Sequence, residues 1–453
     1  MAKVNPELFI IPEGDDSILV LPLEGMVAQV NAGVVRLLQT LDSGGVLPAG
    51  KVTDYLCKNR FVISDSEIVQ APDPAISPNA PFLPTSVNLF PTSDCNLRCI
   101  YCYGNAGEQK HCMSLAVAKA AVDAVVRNAA VTNSSKVAVS FHGGGEPTFG
   151  AAWTVLVDSV AYAKAKASDA NLKLTTSIGT NGVLTESQLD WIVQNLDHVN
   201  LSFDGPEDIQ NKQRPLSTGE GSYPHTLKTL RWFEDIDFAY DIRATITDES
   251  VLRMEEIVDF FSAICTRRSL HIEPADFCGR CLTSGGRGPE PQVFLKKYLA
   301  ARAYAQHADK IDLSYASARV EKPTTHFCGA AGKNFSVTAQ GDVTACHEVS
   351  LRSDPLKRIF FYGQYEEADQ QFHFDMEKLS FLRRRTVHNL PGCSACFAKY
   401  GCAGDCLARV CRETGDIYDT TESSRCLINR GATLAKIQEK LNDSVQGESN
   451  EVE

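Results

Sequence analysis

The sequence lacks the features of an exported or membrane-inserted chain. Its first residues, MAKVNPELFIIPEGDD, contain no basic segment followed by an apolar run and a small-residue cleavage site. No later apolar stretch reaches the length of about 20 residues that crosses a bilayer. We therefore expect a cytoplasmic protein with no membrane partner.

The chain also lacks an excess of basic residues. Its 44 lysines and arginines are outnumbered by 56 aspartates and glutamates, which gives a formal charge of −12 at pH 7. A general nucleic-acid binder needs basic patches to contact phosphates. The charge balance therefore argues against a nucleic-acid partner.

Cysteine, by contrast, is plentiful, with 16 residues in a chain of 453. Reducing pools keep cytoplasmic thiols open, so a disulfide framework is a poor explanation and metal or redox chemistry is the leading one. The length predicts two or three folding units.

Residues 1–70 are predicted to form a small module. The stretches LFIIP, SILVLPL and MVAQV have strand patterns, AGVVRLLQTL has helical spacing, and KVTDYLCKNRFVIS indicates a second helix that runs into a strand. This order suits a winged-helix-like module. Residues 71–85, APDPAISPNAPFLPT, carry five prolines and predict a semi-rigid linker.

Residues 86–312 alternate between strand and helix patterns. Six apolar runs are predicted to be strands: SVNLFPT, KVAVSFHGG, LKLTTSIGT, HVNLSFDG, AYDIRATIT and LHIEPA. The alternation predicts an α/β fold with a parallel sheet or a partial (β/α)6 barrel, in which functional groups gather at the strand carboxyl ends. Residues 313–430 form a separate cysteine-rich region, and 431–453 are predicted to be a helix end and a disordered acidic tail.

The stretch DCNLRCIYCYGN places Cys95, Cys99 and Cys102 in a C-x3-C-x2-C array. A closed structural zinc site needs four ligands, so three thiols on one loop suit it poorly. Three thiolates can hold three irons of a [4Fe–4S] cluster and leave the fourth iron open for a substrate or cofactor. Unmetallated thiols or half of a zinc ribbon remain the alternatives.

A second motif, FHGGGEPTF, follows the second predicted strand. Its glycines allow close backbone approach, and its carbonyl groups together with Glu146 are acceptors suited to a cationic amino group. A simple Gly-Pro turn is the alternative interpretation.

With these two motifs the chain resembles the radical S-adenosylmethionine (radical SAM) enzymes. Cys95, Cys99, Tyr101 and Cys102 match the family's C-x3-C-x-aromatic-C signature. The resemblance implies that the open iron chelates S-adenosylmethionine and that one electron releases a 5′-deoxyadenosyl radical, which removes a hydrogen from the substrate. The residues it implicates in cofactor binding are Tyr101, Gly144, Gly145, Glu146, Pro147, Ser202 and Arg243, although an ordinary ion pair is an equal alternative for Arg243.

The last third contains seven cysteines with internal spacing, namely Cys328, Cys346, Cys393, Cys396, Cys402, Cys406 and Cys426. Gly341 lies between FSVTAQ and DVTAC and is predicted to form the hairpin turn that delivers Cys346. The pattern resembles the SPASM extension of radical SAM enzymes, and a pair of structural zinc sites is the alternative.

The SPASM resemblance implies two auxiliary [4Fe–4S] clusters, and three clusters in total. Cys393, Cys396, Cys402 and Cys426 would hold one cluster, while Cys328, Cys346 and Cys406 would serve the other. Sulfatase-maturing relatives have a further cysteine near the position of Asn334, so the second cluster either has an open iron or borrows Cys411, Cys278 or Cys281. His347 and Glu348 occupy the place of a catalytic base in those relatives, with a surface pair as the alternative.

The N-terminal module resembles the peptide-recognition domain of maturases that act on ribosomally made peptides (RiPPs). We therefore predict a maturase that forms an oxidative cross-link, a thioether or a carbon–carbon bond, in a precursor peptide with a leader sequence. An electron donor such as flavodoxin or ferredoxin is the other expected partner. The alternatives are oxidation of a protein Cys or Ser to formylglycine and, in another class, a non-catalytic iron–sulfur electron carrier or scaffold.

Overall fold

A computed structural model describes residues 2–70, 77–267, 269–421 and 423–450, with side chains up to residue 443. The chain divides into two compact units. Unit 1 combines residues 1–76, 317–327 and 385–453, and unit 2 combines 77–316 and 328–384. The domain boundaries expected from the sequence stay a prediction, and residues 71–76 of the expected linker lie outside the described residues.

The N-terminal part of unit 1 contains the strands and helices that the sequence patterns predict, plus one short additional strand. Its elements are β1 (Ala2–Val4), β2 (Phe9–Glu13), β3 (Asp16–Leu21), β4 (Met26–Asn31), α1 (Ala32–Asp42), α2 (Lys51–Lys58) and β5 (Val62–Ser64). Strands β2, β3 and β4 form an antiparallel meander, and β1 pairs with β5. Asn31 caps α1 by accepting hydrogen bonds from the backbone of Gly33 and Val34, which ends the meander and begins the helix.

Strand β3 is buried along most of its length because alternate residues enter two different cores. Leu19 and Leu21 pack with Leu38 of α1 and Leu56 of α2. The neighbouring residues, which point to the other face of the sheet, join a second core described below.

Unit 2 begins with repeated strand and helix elements. In chain order they are β6 (Ser86–Leu89), α3 (Leu115–Thr132), β7 (Lys136–Phe141), α4 (Ala152–Asp169), β8 (Lys173–Thr180), α5 (Glu186–Asn195), β9 (His198–Ser202), α6 (Glu207–Gln213), α7 (Tyr223–Asp235), β10 (Tyr240–Ile246), α8 (Met254–Ile264), β11 (Ser269–Pro274), α9 (Cys281–Ser284), α10 (Pro291–His307) and β12 (Asp312–Ser314), with a 3₁₀ helix at Ser250–Arg253. All six predicted strands are confirmed as β6 to β11, each parallel to its neighbour. The predicted α/β fold class is therefore confirmed.

The sheet of unit 2 continues beyond its parallel part. The remaining elements are β13 (Ser336–Val337), β14 (Asp342–Thr344), α11 (Lys357–Phe360), β15 (Phe361–Glu366), β16 (Gln371–Phe374) and α12 (Met376–Arg383). Strand β13 pairs in parallel with β6, and β14, β15 and β16 follow as an antiparallel extension. Gly341 forms the predicted turn between β13 and β14 with a φ of +81°, a conformation that favours glycine.

The C-terminal part of unit 1 is helical. It contains α13 (Lys399–Cys402), α14 (Leu407–Thr414) and α15 (Arg425–Asn450), with 3₁₀ helices at Val387–Asn389 and Pro391–Cys393. Ile437 and Leu441 of α15 pack against Ile18 and Val20 of β3, which completes the second core of the N-terminal sheet. Helix α15 is described as far as Asn450, and the acidic tail expected at the C-terminal end stays a prediction. Among the described residues, each helix is too short or too polar to cross a bilayer.

Candidate functional site

The three cysteines of the C-x3-C-x2-C array lie on the loop between β6 and α3, and their thiols are close together. Burial, followed by the neighbouring Cys102, raises the pKa of Cys99 to about 11, although Arg214 opposes the shift. Burial also raises the pKa of Cys95, with Cys99, Glu146 and Cys102 adding to the effect. Thiolates at these positions need cationic partners, and the irons of a cluster are such partners.

The Gly144–Gly145 turn lies directly against the cysteine loop. The backbone amide of Gly145 donates to the carbonyl of Thr92 at 2.7 Å, and that of Glu146 donates to the carbonyl of Asp94 at 2.9 Å. A β-carbon on Gly145 would lie 1.9 Å from the Asp94 carbonyl oxygen. The two sequence motifs are therefore one structural element, and glycine is required where they meet.

Glu146 has a different environment from the one its motif suggested. Its side chain is 3% exposed, and its carboxylate accepts hydrogen bonds from the hydroxyls of Thr148 and Thr180 and the backbone amide of Asn181, each at 2.8 Å. Burial raises its pKa, and these hydrogen bonds oppose the rise. The carboxylate joins the ends of β7 and β8, and the adjoining Pro147 is buried as well.

Tyr101 is anchored in a buried polar network. Its hydroxyl donates to Asp204 at 2.5 Å and accepts a hydrogen bond from Arg214 at 2.7 Å. Asp204 also accepts hydrogen bonds from Gln213 at 2.8 Å and from the backbone of Thr245 at 3.0 Å. The network fixes the aromatic ring of the cysteine motif to the ends of β9 and β10.

Two predicted cofactor residues are neighbours across strands. Ser202 of β9 and Arg243 of β10 are Cα partners in the parallel register; Ser202 is the last residue of its strand, and Arg243 lies at the middle of its strand. A hydroxyl and a guanidinium side by side are suited to a carboxylate ligand.

His347 lies close to His142, which follows β7. The two ring centroids are 5.5 Å apart, and the Nε2 atom of His347 lies 3.2 Å from the Asn88 amide nitrogen. Burial, aided by Arg243, lowers the pKa of His347 to about 4. Burial, then His347 and Arg243, lowers the pKa of His142 to about 3. Both imidazoles are therefore neutral at pH 7.

Glu348 points to a different group of residues. Its carboxylate, the carboxylate of Asp276 and the thiol of Cys278 have ligand atoms within 4.8 Å of one another. Cys278 is 5% exposed, and Cys281, the other cysteine of that loop, donates to the Gly286 carbonyl at 2.9 Å.

Four C-terminal cysteines come together in unit 1. Burial raises the pKa of Cys402, with Asp405, Cys426 and Cys393 contributing. Burial likewise raises the pKa of Cys426 to about 11, with contributions from Asp405, Cys393 and Cys396. Four soft thiol donors at one place fit a [4Fe–4S] cluster. Thus Cys393, Cys396, Cys402 and Cys426, which the SPASM resemblance assigns to one cluster, lie close together, and the cluster itself stays a prediction.

The other three cysteines assigned to a cluster are divided between the units. Cys328 and Cys346 belong to unit 2, and Cys406 belongs to unit 1. At the position where relatives have a further cysteine, the Asn334 side chain donates to the Ala345 carbonyl at 2.8 Å. The ligand set of this cluster stays a prediction.

Sequence reasoning missed several polar residues around the cysteine loop. Asp204 lies within the quoted HVNLSFDG stretch, but Tyr101, which donates to it, is 103 residues away in the sequence. The others are His142, Arg214, Asp276 and Arg280. For Arg280 the available signal was its position between Cys278 and Cys281.

Comparisons with known proteins agree with this geometry. Residues 89–261 match the family model of the radical SAM superfamily. An uncharacterised protein of Synechocystis sp. is 30% identical over 187 residues, which cover 40% of this chain and 46% of that protein. A cysteine-type anaerobic sulfatase-maturating enzyme of Clostridium perfringens is 26% identical over 182 residues, 39% of this chain and 48% of the enzyme. The chain thus spans about half the length of these curated relatives.

Two solved structures share the fold over most of the chain. anSMEcpe with bound AdoMet has a TM-score of 0.63 at 18% identity and covers 80% of this chain and 96% of its own. Streptococcus suis SuiB bound to the precursor peptide SuiA has a TM-score of 0.54 at 13% identity, covering 94% of this chain and 99% of its own.

Proposed function

Because this chain carries a radical SAM domain at residues 89–261, we propose that it is a radical SAM peptide maturase. Cys95, Cys99 and Cys102 would hold the [4Fe–4S] cluster. With S-adenosylmethionine, the cluster would supply a 5′-deoxyadenosyl radical that can remove hydrogen from an unactivated carbon. The observation that carries the proposal is the convergence of three thiols on a loop bonded through its backbone to the Gly144–Gly145 turn.

The cofactor residues have distinct proposed roles. Ser202 and Arg243, adjacent across β9 and β10, would hold the methionine carboxylate. The turn formed by Gly144, Gly145, Glu146 and Pro147 would present acceptors to the amino group. Since the Glu146 carboxylate already accepts three strong hydrogen bonds, the turn's backbone carbonyls are the better acceptors. Tyr101 would act through its ring, because its hydroxyl is bound to Asp204.

Oxidation of a substrate also needs an electron acceptor and a proton acceptor. Two auxiliary clusters would take the electron, the first held by Cys393, Cys396, Cys402 and Cys426, and the second by Cys328, Cys346 and Cys406. Of the two candidate bases, His347 fits better, because its neutral imidazole lies with His142 and Asn88 near the strand ends. Glu348 lies instead beside Asp276 and Cys278.

The proposed substrate is a precursor peptide whose leader binds the N-terminal module. Among the residues that the structure describes, β2 and β4 each pair only with β3, so the outer edges of this meander are compatible with capture of an extended leader as an added strand. The product would be a thioether or carbon–carbon cross-link, and flavodoxin or ferredoxin would supply the electron that starts each turnover. Similarity to the Clostridium enzyme favours formylglycine formation as the second candidate.

The test is anaerobic co-expression with each short peptide encoded beside this gene, followed by mass measurement. A cross-link would remove about two mass units per event, meaning two hydrogens. Fragmentation would separate it from formylglycine, which leaves an aldehyde on one residue. A variant with all three of Cys95, Cys99 and Cys102 changed to Ala is the control and should leave the peptide unchanged. If reduced wild-type protein releases no 5′-deoxyadenosine from S-adenosylmethionine, the proposal is wrong and a non-catalytic carrier is favoured.

A further inference from the structure

The loop between β11 and α10 makes close contact with the cysteine loop. Gly279 has a φ of +54°, and a β-carbon there would lie 2.3 Å from the Cys102 carbonyl oxygen and 2.5 Å from that of Tyr103. Two backbone segments therefore touch with no room for a side chain. The contact brings the next residue, Arg280, against the cysteine loop.

Arg280 binds the cysteine loop at several points. Its backbone amide donates to the Cys102 carbonyl at 2.9 Å, and its guanidinium donates to the Cys99 carbonyl at 3.2 Å and to the Ala106 carbonyl. The residue is 7% exposed. One buried side chain thus connects the backbone of Cys99, the second cysteine of the loop, with the backbone of Ala106, which follows the third cysteine.

The positive charge of Arg280 also acts on the cysteines. The Arg280 guanidinium lies 3.2 Å from the Cys99 carbonyl oxygen, and the Arg214 guanidinium donates to the hydroxyl of the nearby Tyr101 at 2.7 Å. Arg214 is 3.9 Å from Asp204, a carboxylate with a fully buried side chain, so much of its charge is neutralised close by. The carboxylate beside Arg280 is Glu108, at 3.5 Å, and its side chain is 59% exposed, so water screens it. Arg280 is therefore the less compensated of the two cations near Cys99.

We propose that Arg280 is a positioning residue that holds the cysteine loop and raises the reduction potential of the cluster bound to it. The inference rests on the proposed function, because it requires a cluster at Cys95, Cys99 and Cys102. A one-electron reduction makes the cluster and its thiolates more negative by one charge. A buried cation stabilises the reduced form more than the oxidised form, which moves the potential upward and eases electron acceptance from the donor.

The experiment is a redox titration of the anaerobic holoenzyme followed by electron paramagnetic resonance. The signal that changes when S-adenosylmethionine is added identifies the cluster of interest among the auxiliary ones. Arg280→Gln removes the charge but keeps an N–H donor, and Arg280→Lys keeps the charge. Arg253→Gln is the matched control, because Arg253 is a surface arginine that pairs with Asp208 and Glu256.

At a fixed solution potential, we expect Arg280→Gln to lower the ratio of reduced to oxidised cluster about tenfold. For a one-electron couple this corresponds to a reduction potential that is lower by about 59 mV. Arg280→Lys should stay near wild type, and Arg253→Gln should match it. An unchanged potential in iron-replete Arg280→Gln, or an equal shift in Arg253→Gln, overturns the inference. Loss of the cluster in both Arg280→Gln and Arg280→Lys also overturns the inference. In that case, keeping the positive charge at residue 280 would not be enough to keep the cluster. Absence of the responsive signal in wild type would instead overturn the proposed function.

Discussion

Gly145 shows how little space separates the glycine turn from the cysteine loop. A β-carbon would overlap the Asp94 carbonyl, and the hydrogen bonds to Thr92 and Asp94 prevent the turn from moving away without loss. We expect Gly145→Ala to displace the loop and reduce the iron content by about four atoms per chain, one cluster of the three proposed. Iron analysis of the anaerobically reconstituted protein measures this directly.

Gly150→Ala is the matched control for Gly145→Ala. Gly150 also has a positive φ, +61°, but nothing lies within 4 Å of the place that a β-carbon on Gly150 would occupy. The change should cost about 1–2 kcal/mol of backbone strain and leave the iron content at the wild-type value. Equal iron in both variants would show that the Gly145 contact does not hold the cysteine loop.

His142 should make the stability of the protein depend on pH. Burial lowers its pKa to about 3, so between pH 6.5 and 3 the unfolded chain binds a proton that the folded chain does not. The free energy of unfolding should therefore fall as the pH falls, by about 1 kcal/mol for this group between pH 6.5 and 5.5. Anaerobic urea denaturation at pH 6.5 and 5.5 should show that His142→Gln removes this part of the fall.

His373→Gln is the control for His142→Gln, because the His373 side chain is 60% exposed and pairs with Asp369 at the surface. It should keep the acid sensitivity that His142 gives to the wild-type protein. A wild-type slope in His142→Gln would mean that this imidazole is not buried in neutral form.

At the scale of single residues, sequence reasoning succeeded where spacing along the chain defines the chemistry. The cysteine and glycine motifs needed only local spacing, and the structure brings their residues together. Arg214 and Arg280 could not be found in this way. They lie more than 100 residues from the loop that they contact, and isolated arginines have no local pattern.

At the scale of elements, runs of apolar residues were sufficient to predict the six parallel strands β6 to β11, because each is four to eight residues long and has two to four buried residues. Strands β1 and β12 have only three residues each, too few to show a period. The parallel pairing of β13 with β6 joins segments about 250 residues apart, and no local signal reports it. The acidic composition of the C-terminal stretch gave no helix signal, and α15 extends into this stretch as far as Asn450.

Helix α15 should stabilise the N-terminal meander. Ile437 is 3% exposed against Ile18 and Val20, and it also borders an apolar groove beside Val27 and Phe397. Ile437→Ala should lower the free energy of unfolding by about 2 kcal/mol. This is the low end for such a substitution, because the groove already interrupts the packing around Ile437. Limited proteolysis should then cut faster within residues 1–70.

Ile68→Ala is the control for this packing, since Ile68 is 84% exposed in the same unit. It should leave both the proteolysis rate and the thermal midpoint unchanged. If Ile437→Ala behaves like Ile68→Ala, the meander does not depend on α15 and folds without it.

At the scale of the whole molecule, unit 1 joins segments that are far apart along the chain. The N-terminal segment shares a hydrophobic core with α15, and Lys399 forms a 2.7 Å ion pair with Glu7 in which both side chains are largely buried. The sequence patterns showed the elements of this segment but not their partners, because those partners lie more than 300 residues later. Segments of unit 1 that are distant in the sequence therefore share one core.

A truncation can test whether the N-terminal segment is a removable module. Deleting residues 1–70 would expose Ile437 and Leu441 of α15 and remove the partner of Lys399, which lies three residues before Cys402. We expect the remaining chain to aggregate or to lose about four irons, those of the cluster at Cys393, Cys396, Cys402 and Cys426. Co-expression of residues 1–76 with 77–453 as two chains should restore the iron, because the contacts are non-covalent. A stable, iron-replete truncated chain would show instead that the segment is an appended domain, and leader binding could then be removed without touching the clusters.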